Sequence, residues 1–303
     1  MKRRDFLCGL GAAGTISAVT ATAMQSASFT KSICSVVFPD TQPVLEYFGL
    51  VRNAGFHGIE LRVGRDIPLS ASPEDVRRIR DAAHKADIAV ASLWVGDPLQ
   101  KNPLNSPSQE VRTKGVMAIQ RTVELANQLG CSAVLLYPCR LGNGPKMEVG
   151  YETTWQRVTR ELKKAVPAAQ KAKVILTPEN VWNKFLVSPL EMRTFLDQFH
   201  SPWVQSHFDI GNVMQFGYPQ DWILTLGHRI KRVHVKDYKL STRAEQGRFV
   251  KLLEGDVDWK AVMAALTKVG YRGYLSPEIS HDPKEPDQLK NISKQLDQII
   301  SMA

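Results

Sequence analysis

Several features that define common protein classes are missing from this sequence of 303 residues. After position 27, no apolar run approaches the roughly 20 residues that a helix needs to cross a bilayer, so we expect no stable membrane insertion of the mature chain. The basic residues are scattered and form no concentrated stripe, which argues against a nucleic-acid partner. No G-x-G-x-x-G turn follows the first strand candidate, which argues against a doubly wound dinucleotide-binding fold.

Cysteine is also scarce, with four residues in the whole sequence. Cys8 lies in the N-terminal segment, which leaves Cys34, Cys131 and Cys139, an odd number without C-x-x-C spacing. The pattern favours buried thiols. The alternative is one disulfide, which can form if the protein functions outside the cytoplasm.

The N-terminal segment has its own character. It opens MKRRDFLCGL, with the Arg3–Arg4 pair, and a weakly apolar run leads to Ala21-Thr22-Ala23. These are the parts of a twin-arginine export signal with a cleavage site. We expect residues 1–27 to be this signal, and residues 28–303 to be a soluble periplasmic or extracytoplasmic protein. Removal of three basic residues and one acidic residue with the signal lowers the formal charge from +9 to +7. An ordinary N-terminal helix is the alternative, disfavoured by the Gly, Ala and Thr content.

After the signal, short β-rich runs alternate with longer helical patterns, in eight pairs. Strands that alternate with helices predict parallel pairing, and eight repeats in about 280 residues predict a single (β/α)8 TIM barrel over residues 28–303. Stripes such as Trp259, Val262 and Leu266 predict helices that pack on the outside of the sheet. The strand candidates lie near 33–38, 57–62, 88–94, 132–137, 173–178, 203–209, 230–235 and 273–278. The longest irregular segments, 95–108, 138–150 and 236–256, follow strands, so we expect a covered pocket at the carboxyl face.

Four side chains that can bind a cation end strand candidates in the second half of the chain. They are Glu179 in VILTPEN, Asp209 in WVQSHFDIGN, His234 in IKRVHVKD and Glu278 in GYLSPEIS. The carboxyl ends of parallel strands share one rim, so these groups should converge there. Buried carboxylates are rare unless paired or bound to metal, and this set predicts a divalent-metal site. The alternative is a set of internal salt bridges with nearby cations, for which the candidates are Lys236, Arg232 and Arg62.

Six motifs, in this order, resemble those of the sugar phosphate isomerase/epimerase superfamily, with its xylose isomerase-like TIM barrel, over about residues 30–300. They are GFHGIEL at 55–61, PEN at 178–180, FDIGN at 208–212, VHVKD at 233–237, GDVDW at 255–259 and GYLSPE at 273–278. The resemblance, to ketose 3-epimerases and hydroxypyruvate isomerases in particular, implies that Glu179, Asp209, His234 and Glu278 bind Mn²⁺, Mg²⁺, Co²⁺ or Zn²⁺. It also implies that Glu179 and Glu278 are catalytic and exchange protons with substrate carbon.

The function expected from this resemblance is that of a metal-dependent sugar isomerase or epimerase, which acts through an enediolate on a ketose or related small carbohydrate. Alternatives are a metal-dependent lyase or dehydratase on a keto-sugar or keto-glycoside, and a non-catalytic exported carbohydrate-binding barrel. A phosphodiesterase with three zinc ions is disfavoured, because strands two to four end without histidine. The oligomeric state is left open.

The sequence departs from the epimerase pattern in its substrate-binding positions. Asn212 stands where a substrate-binding histidine is common, Phe185 where some members have a glutamate, and Leu240 where an arginine is usual. Other polar or aromatic residues near the strand ends are therefore substrate-binding candidates. The predicted set is Glu60, Asn180, His207, Asn212, Lys236 and Trp94.

Overall fold

The structure is a computed structural model that describes residues 29–143, 146–241 and 247–303. Its main sheet has eight strands: β1 Thr30–Cys34, β2 Gly58–Arg62, β3 Ala89–Trp94, β4 Ala133–Leu136, β5 Ile175–Pro178, β6 Ser206–Asp209, β7 Ile230–Val235 and β8 Tyr274–Pro277. All neighbours are parallel, in the order β5-β4-β3-β2-β1-β8-β7-β6. Isolated bridges from Leu176 to Val204 and from Glu179 to His207 join β5 to the β6 segment and close the ring. The predicted single (β/α)8 barrel is confirmed.

The helices surround the strands and cover the barrel. Their bounds are α1 Tyr47–Asn53, α2 Pro73–Lys85, α3 Gly96–Lys101, α4 Gln109–Gln128, α5 Tyr151–Lys163, α6 Val166–Ala172, α7 Pro189–Asp197, α8 Ile210–Val213, α9 Pro219–Leu226, α10 Trp259–Lys268 and α11 Gln288–Ile300. Ser72 caps α2 by accepting from the backbone of Asp75, and Asp258 caps α10 in the same way. The apolar stripe predicted in α10, which includes Trp259, Val262 and Leu266, is buried against the core.

The first strand begins and ends earlier than predicted. The sequence pattern placed it at 33–38, but β1 ends at Cys34 and Ser35–Val37 forms a 3₁₀ turn. The polar start of the strand is accommodated because Lys31 reaches Asp297 at 2.7 Å and Ser32 donates to the carbonyl of Leu275. The first residues of β1 are polar and form no continuous apolar run. For this reason the sequence pattern placed the strand too far along the chain.

The long segments after strands β3, β4 and β7 all lie on the carboxyl face, as predicted. The first contains α3, and the second contains the paired residues Gly142–Asn143 and Lys146–Met147. The third contains the antiparallel pair Asp237–Lys239 and Arg248–Val250. In the described part of the chain the three cysteines are buried and free. None of the described helices is long and apolar enough to cross a membrane.

Candidate metal centre

Four side chains from four strands meet at the carboxyl end of the barrel. Glu179, Asp209, His234 and Glu278 each place one donor atom within 4.8 Å of the other three. His234 Nδ1 lies 3.1 Å from Glu179 Oε1, 3.7 Å from Asp209 Oδ2 and 3.5 Å from Glu278 Oε2. Three of these residues are buried and Glu278 is half-buried. The predicted convergence on one rim is confirmed.

Local sequence explains how these groups reach the rim. Pro178 and Pro277 are the last residues of β5 and β8, so the glutamates that follow them stand just beyond the sheet. Proline has no backbone N–H to donate to a neighbouring strand, so in a central strand it marks an end. In β7, His234 stands between two buried valines and points to the opposite face of the sheet.

The position of Asp209 depends on two asparagines. Asn180 accepts a hydrogen bond from the backbone N–H of Asp209 and donates to its carbonyl, both at 2.8 Å. Asn212 donates its backbone N–H to Asp209 Oδ1 at 2.7 Å and its side-chain amide to the carbonyl of Asn180 at 2.9 Å. Both asparagines are buried, and these bonds use both side-chain groups of Asn180 and the side-chain amide nitrogen of Asn212. These bonds give both asparagines a role in positioning Asp209, and their contact with substrate stays a prediction.

Glu60, another substrate-binding candidate, lies behind His234. His234 Nε2 is 2.9 Å from Glu60 Oε1, and Ser92 donates to the other carboxylate oxygen. Glu60 is fully buried in this contact with His234, and its contact with substrate stays a prediction. With Nε2 bonded to Glu60, the Nδ1 atom is left facing the three other carboxylates. A metal-binding histidine commonly donates its second N–H to a carboxylate in this manner.

The remaining two candidates without charge are placed differently. His207 is fully buried with its ring centroid 4.1 Å from that of His234, and neither of its nitrogens has a hydrogen-bond partner among the described residues. Burial lowers the pKa of His207 well below the usual range, and the nearby His234 lowers it further. His207 is fully buried behind the cluster of strand ends, and its contact with substrate stays a prediction. Trp94 is half-buried beside Tyr137, at 5.7 Å between ring centroids, and its substrate role stays a prediction.

Lys236 is the one cationic residue predicted to bind substrate, and its ammonium lies within the acidic cluster. Its Nζ is 2.8 Å from Asp209 Oδ2 and 2.5 Å from Glu278 Oε2. The Phe249 ring lies 5.1 Å from the same nitrogen. A Cβ added at Gly211 would come within 2.7 Å of the Lys236 Cβ and 2.9 Å of its carbonyl oxygen, so glycine is needed for this close approach.

The alternative of internal salt bridges holds for Lys236 alone among the predicted cations. Arg232 donates to the carbonyl of Ala91 and to Ser132, and Arg62 pairs with Asp40 and Asp66. In these contacts, neither arginine pairs with Glu179, Asp209, His234 or Glu278.

The two glutamates of the cluster differ in their electrostatic surroundings. Burial raises the pKa of Glu179 to about 7, although the neighbouring His234 opposes the shift. Burial also acts on Glu278, but Lys236 and His234 outweigh it and lower the pKa of that carboxyl. Together with Glu60 and Asp209, four carboxylates share two side chains that can carry positive charge. The cluster is therefore rich in negative charge, as a cation site requires.

The surroundings of the cluster include an aromatic contact that no sequence motif indicated. Trp182, from the segment after β5, stacks on Phe249 of the segment after β7, with ring centroids 5.0 Å apart. Trp182 and Phe249 are about two-fifths exposed, at 40% and 41%. Trp182 is among the residues that line a cavity of about 750 Å³. Phe249, Lys236 and Glu278 are among those that line a second cavity of about 630 Å³. Both volumes are in the range of small-ligand sites.

Comparison with known proteins gives a consistent result. The family model of the xylose isomerase-like TIM barrel matches residues 48–299. A putative L-ribulose-5-phosphate 3-epimerase, SgbU of Escherichia coli (strain K12), is 27% identical over 250 residues, which cover 78% of this chain and 84% of that protein. Curated relatives of this kind are named epimerases, which are isomerases.

Solved structures agree on the fold. A D-psicose 3-epimerase in the presence of D-fructose superposes with a TM-score of 0.75 at 16% identity, covering 90% of this chain and 97% of that one. The 3-keto-D-glucoside 4-epimerase YcjR from E. coli superposes with a TM-score of 0.72 at 16% identity, covering 90% and 99%. At these identities the likeness establishes a shared barrel.

Proposed function

The chain belongs to the xylose isomerase-like TIM-barrel family, and from this premise we propose that it is a divalent-metal-dependent sugar isomerase or epimerase acting on a ketose or related small carbohydrate. The observation that carries the proposal is the convergence of Glu179, Asp209, His234 and Glu278 on one rim. The epimerase names of the curated relatives support the reaction class.

The residues present fit a divalent ion. Three carboxylates and one imidazole are hard and borderline donors of the kind that Mn²⁺, Mg²⁺, Co²⁺ and Zn²⁺ accept. His234 Nδ1 faces the carboxylates while Glu60 holds Nε2, so the ring is already oriented for ligation. A bound ion would act as a Lewis acid toward the carbonyl and adjacent hydroxyl oxygens of a ketose.

The protein's own groups would handle the protons. Glu179 and Glu278 follow β5 and β8, so they reach the cluster from different strands. One carboxylate removes the proton from the carbon beside the carbonyl, which yields an enediolate, and the other returns a proton. Return to the same carbon on its opposite face gives an epimer, and return to the former carbonyl carbon gives an aldose or ketose isomer. Asn180 and Asn212 hold Asp209 in place throughout.

The test is a solvent-exchange assay on the protein of residues 28–303. Metal content is first measured, and the Mn²⁺-loaded protein is then incubated with a panel of ketoses and keto-glycosides in D₂O. We expect a product with the substrate's composition and one deuterium on carbon, detected by NMR and mass spectrometry. The variants E179Q and D209N should abolish the exchange, whereas K239M, a rim variant outside the cluster, should retain it.

Other outcomes of this assay would replace the proposal. A product lighter than its substrate would identify a lyase or dehydratase. Saturable sugar binding without exchange or conversion would identify a carbohydrate-binding barrel. Failure of Mn²⁺, Co²⁺, Mg²⁺ and Zn²⁺ to bind or to raise the melting temperature would contradict the metal-dependent mechanism.

We also propose that residues 1–27 direct the protein through the twin-arginine pathway to the periplasm or another extracytoplasmic compartment. The segment lies outside the described residues, and support comes from the Arg3–Arg4 pair and the Ala21–Ala23 run. Replacement of both arginines by lysine should retain the full-length precursor in the cytoplasm, measured by cell fractionation. Unchanged export of this variant would contradict the proposal.

A further inference from the structure

The ammonium of Lys236 uses the same two oxygen atoms that a metal ion would need. Lys236 Nζ contacts Asp209 Oδ2 and Glu278 Oε2. These are also the two oxygens that lie 3.7 Å and 3.5 Å from His234 Nδ1. The lysine therefore already holds two of the oxygen atoms of the ligand set, and it neutralises part of a cluster that is rich in carboxylates.

A divalent ion and this ammonium cannot share the two oxygens at low cost. Metal–oxygen bonds are about 2.1 Å and N–H···O contacts about 2.8 Å, so the two cations would be at most about 5 Å apart. Charges of the same sign at that distance repel strongly where little water intervenes. Lys236 exposes 15% of its side chain, so water screens this pair poorly.

The structure also provides a place for the displaced side chain. Lys236 and Glu278 line the cavity of about 630 Å³. Its other charged lining residues are the acids Asp237, Glu254, Asp282 and Glu285 and the bases Arg248 and Lys251, of which Lys251 pairs with Glu285 at 2.6 Å. The lysine stem is flexible, whereas its backbone is held close to Gly211. The ammonium can therefore swing toward the acidic residues of this cavity without a change in the strand.

We propose that Lys236 is a resident counter-ion of the ligand set, which a divalent ion displaces into the adjoining cavity, where the ammonium becomes available to substrate oxygen atoms. The inference rests on the proposed metal site. It assigns two successive roles to one side chain. Before the ion binds, Lys236 stabilises the acidic cluster, and afterwards it lies beside the cavity that would receive the sugar.

The direct test is amine labelling of the unmodified protein with and without saturating Mn²⁺. Short pulses of acetylating reagent, followed by peptide mass spectrometry, report the accessibility of each lysine. We expect labelling of Lys236 to rise several-fold with Mn²⁺, while Lys239 and Lys290, which are already exposed at 48% and 65%, stay constant. Unchanged or lower labelling of Lys236, in a sample that binds Mn²⁺ by calorimetry, would overturn the inference.

A second test measures the competition itself. If the lysine occupies the site at least nine-tenths of the time, its removal should tighten Mn²⁺ binding by about tenfold or more. We expect this gain in K236M, and no gain in K239M or in the charge-conserving K236R. Equal or weaker binding by a folded K236M would overturn the inference. Absence of Mn²⁺ binding in every protein would instead refute the proposed metal site, so the two failures are distinguishable.

Discussion

Two buried ionic clusters in this barrel have opposite charge balance. On the outside, the fully buried carboxylate of Glu161 in α5 contacts Arg112, Arg160 and Lys164 at 3.2, 3.3 and 2.6 Å. At the rim, the ion pairs of four carboxylates among the described residues are with His234 and Lys236. Glu161 has three cations for one negative charge, whereas the rim has more acids than cations. We refer to the first as the outer cluster and to the second as the rim cluster.

The difference separates a structural role from a functional one. Burial opposes ionisation of Glu161, but hydrogen bonds from Lys164, Arg112 and Arg160 outweigh it and lower the pKa of that carboxyl. At Glu179 burial prevails and the pKa rises to about 7. A buried carboxylate with enough partners stabilises the fold, and one without them needs an added cation or a proton. Burial of an acid alone therefore does not identify a site.

The largest expected effect is the loss of turnover on substitution in the rim cluster. E179Q removes a proton-transfer group, and such groups commonly contribute about 100- to 10,000-fold to rate. We expect kcat of the metal-loaded enzyme to fall by that amount, measured on whichever sugar exchanges with D₂O. In the metal-free protein, the unfolding free energy should change little, because glutamine resembles the protonated acid that burial favours. A large loss of stability in metal-free E179Q would remove the contrast between the clusters.

The next effect is the loss of stability on substitution in the outer cluster. E161Q leaves the buried Arg112 without its carboxylate, although Arg160 and Lys164 remain about half exposed at 55% and 49%. Breaking a fully buried pair costs 3–5 kcal/mol, and solvent around two partners reduces the expected cost to about 2 kcal/mol. Urea unfolding should show this loss, with metal affinity unchanged. A stability equal to that of the wild type would show that the outer cluster contributes nothing net.

The advantage of Glu161 over glutamine should also depend on pH. The folded-state pKa of Glu161 is lowered, so its contribution is fully present above the unfolded value of about 4.3 and is lost as pH falls through the folded value. The difference in unfolding free energy between wild type and E161Q should therefore be constant from about pH 8 to about pH 6 and shrink toward about pH 3. A difference that grows on acidification would contradict the assignment.

The smallest effect is expected at an exposed pair. Arg229 contacts both carboxylate oxygens of Asp197 at 2.6 and 2.9 Å, but Asp197 is 49% exposed. Exposed ion pairs contribute little, so D197N should cost less than about 1 kcal/mol, and the cost should decrease in high salt. Thermal unfolding of D197N beside E161Q would test whether burial accounts for the difference between the two pairs.

The sequence predicted the rim cluster because two local signals agree there. Pro178 and Pro277 mark strand ends, and two-residue alternation places His207 and Asp209 on one face. The contacts between distant segments were not predictable in this way. Glu60 reaches His234 across 174 residues of sequence, and Phe249 reaches Trp182 from a different loop. Such pairs depend on how the barrel closes, so local periodicity carries no information about them.

Two members of the rim cluster, Glu179 and Asp209, lie where the barrel closes. Strands β5 and β6 are joined through isolated bridges, and one of these bridges pairs Glu179 with His207, two residues before Asp209. An ion bound by Glu179 and Asp209 would therefore link β5 to β6, the two strands between which the barrel closes. Binding of the ion would then also stabilise the closure of the barrel. Removal of the ion would weaken the contact between β5 and β6 before the other strand pairs.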